Sequence, residues 1–276
     1  MKPSLVFLAL FVFSAANALE PQHRLTYRDV PQNEETFVIT SSEFSVDGDN
    51  AYRLLVVTLA TEGSGGDQGI NSFEDAEVFW GSQRMTLITA SNFPIPYGAT
   101  TAIFALVDPV PGNQSLVINA PGGFNGFMAP VQSTVGVGFY EIWNVPPELP
   151  TVARGSLTAF DNASPTLQTT LRTSQPGAFA IATVTDRHAG DSLTFSVEPD
   201  RLEVADSFFD NLNKQTSVAG CIIPLKLRTE VTVKVESNVN KNDLAMSAII
   251  VNAIPEPAAA PLLVGLGALV ALYRKR

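Results

Sequence analysis

Val231-Thr232-Val233-Lys234-Val235-Glu236 decides the fold class. Valine at every second position, with Thr, Lys and Glu between, is the period of a β-strand that has one face in a core and one in water, because successive side chains on a strand point to opposite faces. The alternation recurs in Leu193, Phe195 and Val197 around Thr194 and Ser196, and more briefly at Leu202 and Val204 and at Leu225 and Leu227. Leu54-Leu55-Val56-Val57-Thr58-Leu59 and the run from Ala245 to Val251 are almost continuously apolar, as central strands covered on both faces should be. Turn chemistry separates these runs at Asp47-Gly48-Asp49-Asn50, Gly63-Ser64-Gly65-Gly66, Pro109 to Asn113, Pro121-Gly122-Gly123, Pro146-Pro147 and Pro176-Gly177. Many short strands without a long 3.6-residue apolar period predict an all-β fold, a jelly-roll-like β-sandwich. One exception is expected, Val204 to Lys214, where Phe208, Phe209 and Leu212 fit one or two helical turns. No short internal repeat is found, which argues against a solenoid or propeller.

Composition agrees with a packed body. Hydrophobic residues make up 45% of the 276 and charged residues 16%, which disfavours disorder and a coiled coil. Without residues 1–18 and 258–276, a body of 239 residues remains, a length that one large all-β domain fills. That body carries 13 basic against 27 acidic residues, so nucleic acid is excluded as a partner: affinity for a phosphate backbone comes from clustered Lys and Arg.

The two ends read as addresses. Residues 1–18 have the layout of a secretory signal helix: Lys2 as the positive start, Leu5 to Phe13 as the apolar stretch, and Ala16-Asn17-Ala18 as the small residues that signal peptidase needs. A polar N-terminal segment, 19–35, follows. At the other end, Ala258 to Tyr273 is an uncharged run of 16 closed by Arg274, Lys275 and Arg276. As a helix the run covers roughly 24 Å at about 1.5 Å per residue, a short transmembrane span that snorkelling of the terminal cations helps to accommodate. The three cations should stay cytoplasmic and act as the membrane stop, which places the acidic body on the far side, as the signal also requires. Cys221 is the only cysteine, so the chain has no internal disulfide and no lipoprotein cysteine near the signal.

Pro255-Glu256-Pro257, an apolar run and a terminal Arg/Lys cluster, in this order within residues 254–276, resemble the PEP-CTERM sorting signal of exopolysaccharide-secreting Gram-negative bacteria. The resemblance implies that an exosortase, an integral-membrane cysteine protease, recognises the Pro-Glu-Pro triplet and cuts the tail. The physics is compatible, since two prolines neither continue a helix nor donate backbone hydrogen bonds, which leaves the triplet extended and accessible. The span 36–253, taken as the β-sandwich domain, is similar to an uncharacterised bacterial surface module. The similarity runs through Arg53 to Val57, Glu62, the aromatic-Gly turn Phe79-Trp80-Gly81-Ser82-Gln83-Arg84-Met85-Thr86, Ile103 to Gly112 and Leu244 to Ala253.

The catalytic inventory is thin. His23 and His188 stand in no spacing that positions a nucleophile or zinc, and Gly63-Ser64-Gly65 lacks the spacing of a nucleophile elbow. Glu74, Asp75 and Glu77, or Asp206 with Asp210, are the acidic sets that a glycan-cleaving enzyme would draw on, but among 27 acidic residues they read as surface acids. No enzyme and no obligatory cofactor are expected. Calcium is an alternative reading of one turn: Asp47, Asp49 and Asn50 offer the oxygens that Ca²⁺ takes, though the set is incomplete and an ordinary β-turn explains it too. Glycan binding would use aromatic rings. Tyr97 sits in the loop Phe93-Pro94-Ile95-Pro96-Tyr97-Gly98, and Trp143 is the second choice, although Trp80 and Trp143 also suit packing within strands. The expectation is an exported, non-enzymatic cell-envelope or extracellular-matrix protein. Its alternatives are a carbohydrate-binding module for exopolysaccharide and, behind it, a glycan-cleaving enzyme.

Overall fold

The computed structural model describes residues 22–30, 36–40, 45–48, 52–62, 73–92, 99–120, 133–143, 145, 149, 157–161, 166–172, 178–186, 193–198, 206–212, 216–225, 230–237 and 242–252. The signal segment, Tyr97, Asp49, Asn50, His188, the Pro255-Glu256-Pro257 triplet, the apolar run 258–273 and Arg274, Lys275 and Arg276 lie outside the described residues.

The first half of the chain forms β1 (Gln22–Val30), β2 (Thr36–Ile39), β3 (Leu54–Glu62), β4 (Glu77–Trp80), β5 (Gln83–Arg84), β6 (Thr86–Asn92), β7 (Ala99–Val107), β8 (Leu116–Asn119) and β9 (Ser133–Ile142). The second forms β10 (Leu157–Asp161), β11 (Thr166–Arg172), β12 (Ala178–Asp186), β13 (Leu193–Glu198), β14 (Asp206–Leu212), β15 (Thr216–Leu225), β16 (Glu230–Ser237) and β17 (Asn242–Val251). The fold is all-β and antiparallel. Among the described residues the only helical piece is a 3-10 turn, Phe73–Asp75. Within the stretch expected to be helical, Asp206–Leu212 is corrected to a strand. Asp206 to Leu212 pairs residue for residue with Ile222 to Thr216 of β15, and this ladder overrides a local pattern too short to hold a helix by itself.

Four sheets result. In strand order they are β1-β9-β3-β7-β6 and β2-β8-β4-β5 from the first half, and β10-β17-β12-β15-β14 and β11-β16-β13 from the second. The two halves are copies of one plan. Substituting β10, β11, β12 and β13 for β1, β2, β3 and β4, and β14 to β17 for β6 to β9, converts the first pair of sheets into the second, pairing for pairing, with only the two-residue β5 left over. Each copy is a small sandwich with a five-stranded inner sheet and a shorter outer sheet.

Packing sets the layer order. Leu55, Val57, Phe104 and Phe139 from the first inner sheet pack with Ile39, Val78, Trp80, Leu116 and Ile118 from its outer sheet. The opposite face of that inner sheet, with Leu54, Val56, Ile103, Tyr140 and Ile142, meets Ile181, Ile249 and Val251 of the second inner sheet. The second inner sheet in turn packs Ala180, Ala182, Ala248 and Ile250 against Leu171, Val231 and Val233. The described strands therefore stack as outer, inner, inner, outer. This is why Leu54 to Leu59 and Ala245 to Val251 read as almost continuously apolar: β3 and β17 lie inside sheets that are covered on both faces. Each buried Val, Leu or Ile contributes roughly 1.5–3 kcal/mol, so packing rather than strand propensity holds these two strands. The outermost face of the second copy is polar, with Thr170 hydrogen-bonded to Thr232 and Arg172 paired with Glu230.

Between the two inner sheets the apolar layer gives way to small and hydroxyl-bearing residues. Thr101 Oγ1 and Ser247 Oγ lie 2.9 Å apart and tie one copy to the other through a buried hydrogen bond. Gly138 leaves room for the Tyr140 ring beside it: a Cβ there would lie 2.4 Å from Thr58 Oγ1 and 2.9 Å from Tyr140 Cε2. Within the first outer sheet Gly81 opens the β4–β5 hairpin at φ +57°, as a two-residue turn with glycine first requires.

Candidate functional site

The site lies where β3 and β9 leave the first inner sheet. Glu141 pairs with Leu55, and strand alternation puts its side chain on the face of Phe139 and Val137, at the end of the core between inner and outer sheets. It is 1% exposed. A carboxylate there is held by directed donors: Glu141 Oε1 accepts from Trp143 Nε1 at 2.8 Å and from the Asp47 backbone N–H at 2.9 Å. Glu141 Oε2 is also buried and has no hydrogen-bond partner. Burial pushes the Glu141 carboxyl above its ordinary value of 4.5; the bonds from Trp143 and Asp47 oppose the rise, the Asp47 charge adds to it and Arg53 opposes it.

Arg53 follows from the same register. One step beyond the last β3–β9 pair, Leu54 with Ile142, Arg53 stands across from Trp143 on the Glu141 face. Its guanidinium donates through Nη1 to the Asp47 carbonyl at 2.9 Å and through Nη2 to Asp108 Oδ1 at 3.1 Å, while its Nε is buried without a partner. The ion pair is unequal, with the Arg53 side chain 12% exposed and that of Asp108 79%. The Asp108 N–H donates to the Arg53 carbonyl at 3.0 Å, and Gln83 donates to the Asp108 carbonyl and accepts from the Val110 N–H. Trp80, buried against Phe139, donates its Nε1 to the Val110 carbonyl at 2.9 Å. Val46 and Gly112 exchange both backbone hydrogen bonds. These contacts fix the turn after Val46 and the loop after Val107 to one sheet end.

Tyr52 and Asp108, the two non-glycine residues with positive φ among those described, both belong here, at +54° and +50°. A side chain in this region costs roughly 1–2 kcal/mol, least for Asp. Tyr52 keeps the conformation because its carbonyl accepts from the Val145 N–H, and the residue is 57% exposed.

Of the residues singled out from sequence, the structure brings two into this place. Trp143 is half-buried with its indole tied to Glu141, and Asp47 is exposed with its backbone bonded to the same carboxylate. Among the described residues no three His, Cys, Asp or Glu side chains are placed to hold a metal ion. Glu74 and Asp75 are exposed on the 3-10 turn, and Glu77 pairs with Arg84. Asp206 and Asp210 are both on β14. Sequence reading missed Glu141, Arg53, Asp108 and Tyr52. One signal was present: Val135-Gly136-Val137-Gly138-Phe139-Tyr140-Glu141-Ile142 carries a single charge in an otherwise apolar and small run. No protein-family model, curated protein or solved structure matches the chain.

Proposed function

We propose that the chain is an exported, exosortase-sorted, non-enzymatic protein of the cell envelope or extracellular matrix of a Gram-negative bacterium, with a structural or adhesive β-sandwich body. The observation that carries the reading is the order of parts in the sequence: a secretory signal, an all-β body, Pro255-Glu256-Pro257, an apolar run and Arg274-Lys275-Arg276. The four-layer body supports it, because a stack with an apolar cluster between each pair of neighbouring sheets and a polar outermost face on its second copy suits display outside the cell. Replacing the Pro255-Glu256-Pro257 triplet with alanines in the producing cell should leave the tail uncut, read as a higher mature mass. An unchanged mass would refute exosortase sorting.

A second reading, a carbohydrate-binding module for exopolysaccharide, is favoured by one specific observation. Trp143 has its ring fixed by Glu141 at a sheet end that also displays Tyr52.

A further inference from the structure

We infer that the end of the body from which the chain leaves for its tail lies on the lipid surface, with Tyr52 and Val110 as its contacts. The inference rests on the reading of residues 258–273 as a membrane span, and the one occupant of this surface is the bilayer that holds that span.

Core packing fixes the exit point. Thr101 and Ser247 are bonded to each other, and Ile103 and Ile249, two residues further along β7 and β17, share one apolar cluster, so the two strands run the same way. Val251, the last residue of β17, is in that cluster with Leu54, Ile142 and Val145. The chain therefore leaves the body at the end where β3 begins and β7 and β9 finish. Six residues, 252–257, separate Val251 from the apolar run that starts at Ala258. At about 3.3–3.6 Å per residue this tether reaches roughly 25 Å when fully extended, and the headgroup layer takes up about 5–8 Å of it. It is too short to hold that end of the body far from the membrane.

Apolar exposure gathers at the same end. The described residues include four exposed large apolar ones, Val38, Tyr52, Val110 and Leu149. Tyr52 stands just before β3 with its carbonyl bonded to the Val145 N–H, and Val110 lies in the loop after β7, bonded to Gln83 and Trp80. Leu149 follows Val145 by four residues, and of the four only Val38, on β2, belongs to another part of the surface. Single exposed apolar residues are ordinary, whereas a group of them beside a membrane tether is an interaction surface. Tyr52 is the most exposed of the four, and an aromatic ring that carries a hydroxyl is the kind of side chain that the boundary between lipid and water selects. Its φ of +54° is costly for tyrosine, and such strain collects at functional positions. Exposed Asp47 and Asp108 give this end no attraction to anionic headgroups, so the contact is with zwitterionic lipid. Docked in this way, the body keeps Pro255-Glu256-Pro257 at the lipid surface, where an integral-membrane protease meets it.

The test uses the full chain, made in a host without exosortase and reconstituted in phosphatidylcholine nanodiscs that contain a phosphatidylcholine with a diazirine at headgroup depth. After illumination, lipid adducts are mapped by peptide mass spectrometry. They should appear on the tail, on Tyr52 and on the loop around Val110, and not on Thr170 or Arg172 of the second copy's outer face. Tyr52→Asp combined with Val110→Asp should lose most of the body adducts and keep those on the tail. Both positions are exposed, and the wild-type arm needs no substitution. Adducts confined to the tail would overturn the inference and leave that end free for a saccharide, and body adducts unchanged in the double variant would overturn it too. In both cases the reading of the tail would stand. A tail without adducts would overturn that reading and the inference with it.

Discussion

Glu141 and Ile250 hold one position in two copies of the same strand plan. The match is fixed by their neighbours: Tyr140 falls on Ile249 and Ile142 on Val251, and all four lie in the core between the inner sheets. One copy closes the end of its sandwich with an isoleucine. The other places there a carboxylate bonded by Trp143 and Asp47.

Glu141 should therefore make stability fall with rising pH. Its folded pKa is raised above 4.5, so the folded state holds the proton more tightly, and the resulting stabilisation is present below the unfolded value and lost as pH rises through the folded one. In urea melts from pH 4 upward, Glu141→Gln should lack this falling limb while sharing the wild type's other trends. Identical pH profiles for the two proteins would show that burial does not govern this carboxyl.

Gly138→Ala should destabilise the chain by about 1–3 kcal/mol, because the added Cβ meets Thr58 Oγ1 at 2.4 Å and the Tyr140 ring at 2.9 Å in a layer closed on both sides. Combining it with Thr58→Ala should recover only part of the loss, since the ring contact remains. A thermal melt reads the difference, and a neutral Gly138→Ala would mean that the inner sheets separate more easily than their packing implies.

The Thr101–Ser247 bond joins the two copies and can be weighed by a double-mutant cycle. Ser247→Ala takes the Ser247 partner from the buried Thr101 hydroxyl, and Thr101→Val leaves Ser247 Oγ only its 3.4 Å bond to the Thr101 carbonyl, so each alone should cost about 1–3 kcal/mol. The double variant should cost less than the sum of the two, with a coupling of about 1 kcal/mol. Strict additivity in chemical denaturation would remove the bond from any account of how the copies are joined.

Tyr52→Gly should stabilise the fold by roughly 1 kcal/mol, since glycine adopts φ +54° without the steric penalty and a residue that is 57% exposed contributes little burial. A higher melting temperature is the expected reading. A lower one would show that the ring is held by packing rather than displayed.

Much of the architecture was legible because it rests on period and continuity. Val231, Val233 and Val235 are buried with Glu236 exposed, and β3 and β17 are the interior strands that their apolar runs imply. The duplication was hidden because matched positions keep only their apolar character: Val135 faces Leu244 and Val137 faces Met246 in the alignment of β9 with β17. The Asp206–Leu212 strand was misread because its pairing with β15 is tertiary information. The candidate site was hidden for a related reason. Asp47 and Glu141 are 94 residues apart, so a turn read as an incomplete oxygen set gave no sign of the carboxylate that bonds its backbone. Trp143 was noticed as a ring, whereas its role depends on an acceptor two positions away that strand alternation puts on the same side.

The strand order also dictates when each copy can close. In both, the last strand in sequence enters the middle of the inner sheet, between the first strand and the third: β9 between β1 and β3, β17 between β10 and β12. A chain made from its N-terminus therefore carries an open seam in its first sandwich until Ile142 has emerged, and a second seam until Val251 follows. Until then two strands that end as neighbours of the closing strand present unpaired edges to anything nearby. Such late, long-range closure is slow. A growing chain of this plan is most vulnerable to mispairing with its siblings just before each seam is filled, and the second vulnerable interval ends only a few residues before Pro255.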